Sequence, residues 1–348
     1  MLISGRLACG YNNFGQLGTG DTNSRSNFVK VVDSNVTDIA VGYSHSLFLK
    51  SDGSLWAMGR NGHGQLGTGD NDDRNSPVKV IPSGVTHITA GWYHSLFIKS
   101  DGTLWAMGSN DRGQLGDGTY THRNTPINIL PGGVKYVAAA QNISLFIKDD
   151  GSLWGMGHNN GKRLGNTNLE KQNTPVKIVE SGVVSVDAGT NNSGVHFIKE
   201  DGSLWCIGTT VPGLPQGNSN ALTPTKIVDS NVVAVRTGLH LLFLKSDGSV
   251  WAAGRNDGGQ LGNGNKNHVW SPIKVIDSGV TAIAAGGFSS WVIKSDGSLW
   301  GVGGLNEKVS DNWVKVVPNG VTDVSSIWDR LRYKKQDGSV WSYRSING

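Results

Sequence analysis

The chain has 348 residues, 50 of them glycine, with 17% charged side chains and a formal net charge of +4. That length suits two ordinary domains or one large all-β domain, and the glycine share is about twice the usual one. The charge bias is too weak to argue for a nucleic-acid or membrane surface. Two cysteines, Cys9 and Cys206, make no disulfide framework. No close set of Cys and His has zinc-site spacing, and no apolar run reaches the length of a membrane span. The start "MLISGRLACG" shows no signal peptide, and a processed chain would read the same way. A secreted or cell-surface setting is expected ahead of a cytoplasmic one. The densest basic stretch, "DRLRYKK" from Asp329 to Lys335, reads as a solvated surface segment.

In chain order, the first element is a degenerate copy of the later units: "GRLACGYNNFGQLG", with Leu7 where they have tryptophan. Then comes "FVKVV", Phe28 to Val32. The first full unit begins after it, and its periodicity is two rather than 3.6. Strand A is Val36–Gly42, short and rich in small residues. Strand B is Ser44–Lys50. Asp52-Gly53 is a tight-turn signal joining B to strand C, Ser54–Met58, as a hairpin. A long Gly/Asn loop leads to strand D, Pro77–Ile81, where a proline suits an edge strand. Pro82-Ser83-Gly84 turns back into the next A strand. The C-strand tryptophans are Trp56, Trp105, Trp154, Trp205, Trp251, Trp300 and Trp341, spaced by 49, 49, 51, 46, 49 and 41 residues. The "PVKVI" and "VTHITAG" pieces keep step with them. The units fill nearly the whole chain, with no linker and no second domain visible.

Four antiparallel strands per unit at this period predict an all-β fold, a seven-bladed β-propeller of four-stranded antiparallel blades in a single domain, 1–348. Small residues in strand A suit the innermost position. The tryptophans are expected in the core between blades, with each indole N–H reaching a nearby carbonyl. Eight C-like strands stand against seven of each other kind. Ser339–Arg344 keeps its Asp337-Gly338 turn and Trp341, so it is expected to be strand C of the closing blade. Leu2–Cys9 is left to add a fifth strand or lie against an edge.

The stretch "AGWYHSLFIKSDGTLWAMGSNDRGQLGDGT", Ala90 to Thr119, resembles the repeat of the regulator of chromosome condensation family. The resemblance covers nearly the entire chain and implies a seven-bladed propeller.

In such a meander the A–B and C–D loops emerge on one side and the short B–C and D–A turns on the other. The turns are nearly uniform, so they carry little specific information. The A–B loops differ in every copy: Tyr43–His45, Trp92–His94, Gln141–Ile143, Thr190–Gly194, Leu239–His240, Gly287–Ser289 and Trp328–Arg330. Phe14, His63, Arg112 and Asn160 stand near the tips of the C–D loops. Large aromatics on exposed loops are what protein-binding hot spots use. The expected partner-binding residues are Tyr43, Trp92, Tyr93, Gln141, Asn142, Asn191, Leu239, His240, Phe288, Trp328, Asp329 and Arg330. The fifth C–D loop, Gly208–Pro224, loses the Gly-Gln-Leu-Gly pattern and gains Pro212 and Pro215; the last, Gly304–Trp313, is short.

No catalytic residue, metal ligand or cofactor is expected. His45 and His94 share one repeat position and are read as bonding loop groups. The Gly-Gln-Leu-Gly copies lack the context of phosphate loops. The leading expectation is a monomeric, non-enzymatic protein-binding module that engages neither nucleic acid nor membrane. Within that class the chain is similar in architecture to the secreted bacterial β-lactamase inhibitor protein II. That resemblance implies an inhibitory role for the aromatic loops, although Gln141, Asn142, Asn191 and Asn192 put amides where aromatics would serve. Guanine-nucleotide exchange on a small GTPase, the activity of the family's founding member, is an alternative; no copy carries a long insertion and no basic tail is present. An enzyme or lectin site built from His45, His94, His240 and Asp329 is another. A scaffold domain of a larger bacterial surface protein is the last.

Overall fold

The computed structural model describes residues 6–32, 35–165, 169–189, 194–215, 220–305, 308–327, 330–337 and 340–344. They form two compact units, one of residues 1–160 and 167–182, the other of 161–166 and 183–348. Among the described residues there is no helix, and six antiparallel sheets have four strands each, in chain order. The first unit holds three of these. Its first comprises Val36–Val41, His45–Lys50, Leu55–Gly59 and Arg74–Ile81, the predicted strands A to D. The second unit holds the other three.

The two chain ends behave differently. Val340–Arg344 is the third strand of a three-stranded sheet with Val321–Ile327 and Arg330–Lys335, the place of a C strand. The N-terminal copy, Arg6–Gly10, lies along the D-type strand Arg25–Val32, with Arg6 opposite Val32 and Ala8 opposite Val29.

Strands A, B and C fall within a residue of the sequence-based bounds. Strand D starts earlier than expected, at Arg74 rather than Pro77. The pairing explains why: Ala57 faces Val78, but Gly59 faces Arg74, so Pro77 sits in a bulge where no ladder hydrogen bond is required of it. The same bulge holds Pro126, Pro175, Pro224 and Pro272.

Strand B is buried on both faces, Leu47 and Phe48 alike. In the first unit one sheet packs on the next: Leu47, Leu49, Leu55 and Leu66 meet Val85, Ile88, Phe97 and Met107 of the following one. Burying a side chain such as Leu47 contributes about 2 kcal/mol.

Six of the C-strand tryptophans, Trp56 to Trp300, are half-buried rather than sealed in the core, and their N–H groups take a different partner from the one expected. Trp56 Nε1 donates to Ser54 Oγ two residues upstream (2.9 Å), and Ser54 N and Oγ both donate to Asp52 Oδ1 of the hairpin turn. Phe48, directly opposite in strand B, stacks on the indole at 5.9 Å and 8°. Lys50 and Lys79 stand over the ring at 4.7 and 5.2 Å. The clip recurs at Trp105, Trp154, Trp205, Trp251 and Trp300. The hydroxyl bonds hold the Asp52 carboxyl below its ordinary range. Ser54→Ala is therefore expected to cost about 1 kcal/mol in urea denaturation and to let Asp52 titrate closer to an ordinary aspartate, as followed by carboxyl NMR shifts.

Candidate functional site

The loops are anchored before they are decorated. In the first sheet Arg60 N donates to Ser44 O, and in the next Ser109 N donates to Tyr93 O, both at 2.8 Å. His158 N and Asn142 O, and Gly304 N and Phe288 O, make the same bond in later sheets. Each one ties the start of a C–D loop to an A–B loop of its own sheet, so the two loop types emerge together.

Each regular C–D loop is then wound around a buried asparagine that local sequence patterns do not single out. Asn61 Oδ1 accepts from Leu66 N (2.9 Å), while its Nδ2 donates to Thr68 Oγ1 and Asp70 O, both at 3.0 Å. Asn12, Asn110 and Asn256 repeat the pattern. At one position the regular loop also takes a left-handed backbone that favours glycine. Gly64 has φ +79°, and a Cβ there would collide with the Asn124 backbone. Aligned on these asparagines, the position of His63 in the fourth loop is Gly161, not Asn160.

In the first unit the loops bring together a continuous strip of rings. Tyr43 N donates to Trp92 O (3.1 Å) and Trp92 N to Gln141 O (2.9 Å), which links three successive A–B loops. Gln141 reaches this place with a positive φ of 47°. The Tyr43 ring lies 6.0 Å from Trp92 and 5.7 Å from Tyr93. Tyr93 lies 5.3 Å from His63, which meets His122 edge-on at 4.9 Å. The Arg60 guanidinium covers Phe14 at 5.0 Å and Tyr93 at 5.5 Å. Tyr43 is 51% exposed, and the Trp92 indole N–H has no partner among the described residues. His122 Nδ1 accepts from Asn110 N (2.9 Å), so its proton is on Nε2, facing Asp111 at 3.6 Å. Partial burial, His122 and Arg60 lower the His63 pKa, with Asp111 opposing them.

Among the expected binding residues, Tyr43, Trp92 and Tyr93 thus form one surface, with Asn142 half-buried in the next loop of that unit. Gln141, 7% exposed, contributes its backbone rather than a free side chain. In the second unit Phe288 is exposed on its loop, but Leu239 and His240 are buried, against the surface role expected of them. Leu239 stands in a loop one residue shorter than those of Tyr43 and Trp92, and His240 is the first residue of strand B, the place that His45 and His94 take in the first unit. Asn191, Trp328 and Asp329 lie outside the described residues, and of Arg330 only the backbone is described. Arg60, His63, Phe14 and His122 join the strip although none was expected to bind. They come from C–D loops, where sequence shows a loop but not which tip folds toward which ring.

The histidines at the head of strand B have another duty. His45 Nε2 meets Ser95 Oγ at 3.0 Å, and Ser95 Oγ donates to Gln65 O, so the imidazole is the donor and Nε2 carries its proton. His94 with Ser144 and Gln114, and His240 with Ser290 and Gln260, repeat the relay. Gly42 and Gly91 leave room for the rings; a Cβ on either would overlap them. Burial pushes His45 and His240 down to about 4 and His94 to about 3. His196 is held down to about 4 by burial, between Pro212 O and Thr237 Oγ1. These neutral rings join one blade to the next. No group of three or more His, Cys, Asp or Glu able to hold a metal occurs among the described residues. Cys206 is free and buried, its thiol pushed up to about 12.

Antiparallel blades repeated in this way, with uniform turns at one end and varied loops at the other, define a β-propeller. The RCC1-like domain model matches residues 6–312, and the chain belongs to that family. A Protein RCC2 homolog of Xenopus laevis is 34% identical over 115 residues, which is 30% of this chain and 22% of that protein. The mitochondrial RCC1 domain-containing protein RUG3 of Arabidopsis thaliana is 34% identical over 125 residues, 33% of this chain and 27% of its own length. The match thus spans about a quarter of these relatives. Human WBSCR16 superposes with a TM-score of 0.75 at 20% identity, covering 98% of this chain and 99% of that one. Prp20p of Saccharomyces cerevisiae gives 0.77 at 18% identity, with 98% and 91% covered. At such identities the likeness speaks to the fold alone.

Proposed function

We propose that this chain is a non-enzymatic binding propeller and that the ring strip of its first unit grips a protein partner. The observation that carries this reading is the strip itself. Trp92, Tyr43, Tyr93, His63 and His122 touch in sequence, Arg60 lies across Tyr93 and Phe14, and the A–B and C–D backbone bonds hold the loops in place before any partner arrives. Aromatic and arginine side chains fixed this way lose little freedom on binding, which is why they dominate interface energies.

Tyr43→Ala, Trp92→Ala and Tyr93→Ala leave the backbone bonds of the loops intact. Each anchor of this kind costs about 2 kcal/mol or more, or roughly 30-fold in affinity. A protein captured from the source cells by wild type and lost by the still-folded triple variant identifies the partner; equal capture by both removes the strip from the reading. The finer assignment is an enzyme held in an inhibitory complex, for which β-lactamase inhibition is the first assay. The competing assignment is a small GTPase. It draws on the similar fold of Prp20p, a protein with binding properties to Gsp1p and histones. Accelerated nucleotide release from a captured GTPase would select it.

A further inference from the structure

Three arginines at the ends of C–D loops in the first unit are paired within their own loops: Arg25 with Asp21, Arg74 with Asp70 and Arg123 with Asp117. Arg163, which replaces the glutamine of Gly-Gln-Leu-Gly in the fourth loop, is fully buried and beyond a partner's reach. Arg60 is neither paired nor sealed. It is half-buried, and its guanidinium lies over the rings of Phe14 at 5.0 Å and Tyr93 at 5.5 Å. Among the described residues that guanidinium has no hydrogen-bond acceptor and no carboxylate partner.

Another copy of the loop shows what is missing. Arg255 stands directly before the loop asparagine Asn256, as Arg60 stands before Asn61. There Asp257, two residues on, receives the fork. Arg255 Nε and Nη2 lie 3.0 and 2.8 Å from its Oδ2, and His268 Nε2 meets its Oδ1 at 2.9 Å. The residue two after Arg60 is Gly62. A Cβ on Gly62 would lie 3.9 Å from Arg60 Nε and, its chain neighbours aside, within 4 Å of nothing else. The place of the carboxylate is therefore open space beside an unpaired guanidinium. The aspartate that closes the same loop does not fill it, because Asp73 Oδ1 accepts from Asn61 N at 2.7 Å and makes no ion pair with Arg60. We infer that this gap receives an Asp or Glu side chain of a protein partner, which rests on the reading of the ring strip as the binding surface. The planar fork matches a carboxylate. Contact with Phe14 and Tyr93 restrains the guanidinium, so less freedom is lost when the acid arrives. An exposed ion pair contributes little. One covered by the partner is shielded from water, and truncating either member then costs more.

The test selects a random displayed peptide library on the wild-type chain and discards every peptide that also binds the triple variant Tyr43→Ala, Trp92→Ala, Tyr93→Ala. The remaining peptides are expected to share an Asp or Glu. Replacing that acid with its amide is expected to weaken binding about tenfold or more. Gly62→Asp supplies the carboxylate from within the chain, as Asp257 does for Arg255, and is expected to bind the acid peptide no better than the amide. Arg60→Gln is expected to show the same loss and serves if Gly62→Asp does not fold. Strip-dependent peptides without a shared acid overturn the inference and leave the strip reading standing, as does an acid preference that survives in both variants. A library that yields no strip-dependent peptide removes both. Tighter binding with phosphoserine in place of the acid gives the gap to a phosphate and overturns the carboxylate.

Discussion

Urea midpoints of the intact protein are expected to fall steeply as pH drops from 7 to 5, and to stay level from 7 to 8. His45, His196 and His240 are held at about 4 and His94 at about 3 in the folded chain. In the unfolded chain each titrates near 6.5. Below that value the unfolded state binds protons that the folded state refuses, so stability falls with pH until the folded rings themselves protonate. Each ring accounts for about 1.4 kcal/mol per pH unit, so about 2 kcal/mol at pH 5 and on the order of 8 kcal/mol for the four. That compares with roughly 5–15 kcal/mol for the whole stability of an ordinary domain. The turn aspartates act in another window. Hydroxyl and backbone bonds lower Asp52, Asp101, Asp150, Asp201, Asp247 and Asp296. Their contribution is therefore complete above about 4 and is lost only as pH falls below it. His94→Gln should remove about one proton from the slope between pH 7 and 5. A midpoint that does not move over that range would mean that the buried rings carry charge, contrary to the serine relay.

Asn110→Ala should destabilise the protein by about 3 kcal/mol, since it orphans several polar groups at once. Its amide oxygen accepts from Leu115 N, and its nitrogen donates to Asp117 Oδ1 and Thr119 O. Without it the loop from Asn110 to His122 loses its internal frame. The functional consequence runs through His122, which is placed by the Asn110 backbone N–H and in turn packs on His63. Partner affinity should therefore fall as well, although Asn110 is fully buried and touches no partner. Urea denaturation and capture of the partner measure the two effects. Unchanged affinity in a destabilised variant would separate His122 from the binding strip.

Features that depend on near neighbours along the chain were legible before any packing was known. Period-two alternation marked strands A to C, Asp52-Gly53 and its copies marked the hairpins, and the recurring unit implied blades, because a β-ladder and a tight turn are written within about ten residues. Even strand D was readable apart from its bulge, which depends on how Gly59 pairs across the loop. Contacts between repeats were not legible in this way. His45 finds Ser95 fifty positions on, and nothing local to either residue names the other. Leu239 and His240 looked like loop residues but are buried; His240 heads strand B as His45 and His94 do and is held by Ser290 fifty positions on, a contact that nothing local announces. The strip joins Tyr43 to Trp92 and His63 to His122 through the packing of separate sheets, so the touching of these rings is a property of the folded chain alone. Arg163 stands between the two cases. The sequence shows where the glutamine gives way to arginine, but an arginine in a loop is ordinarily solvated. Whether its charge is in water or out of it depends on the burial that packing creates.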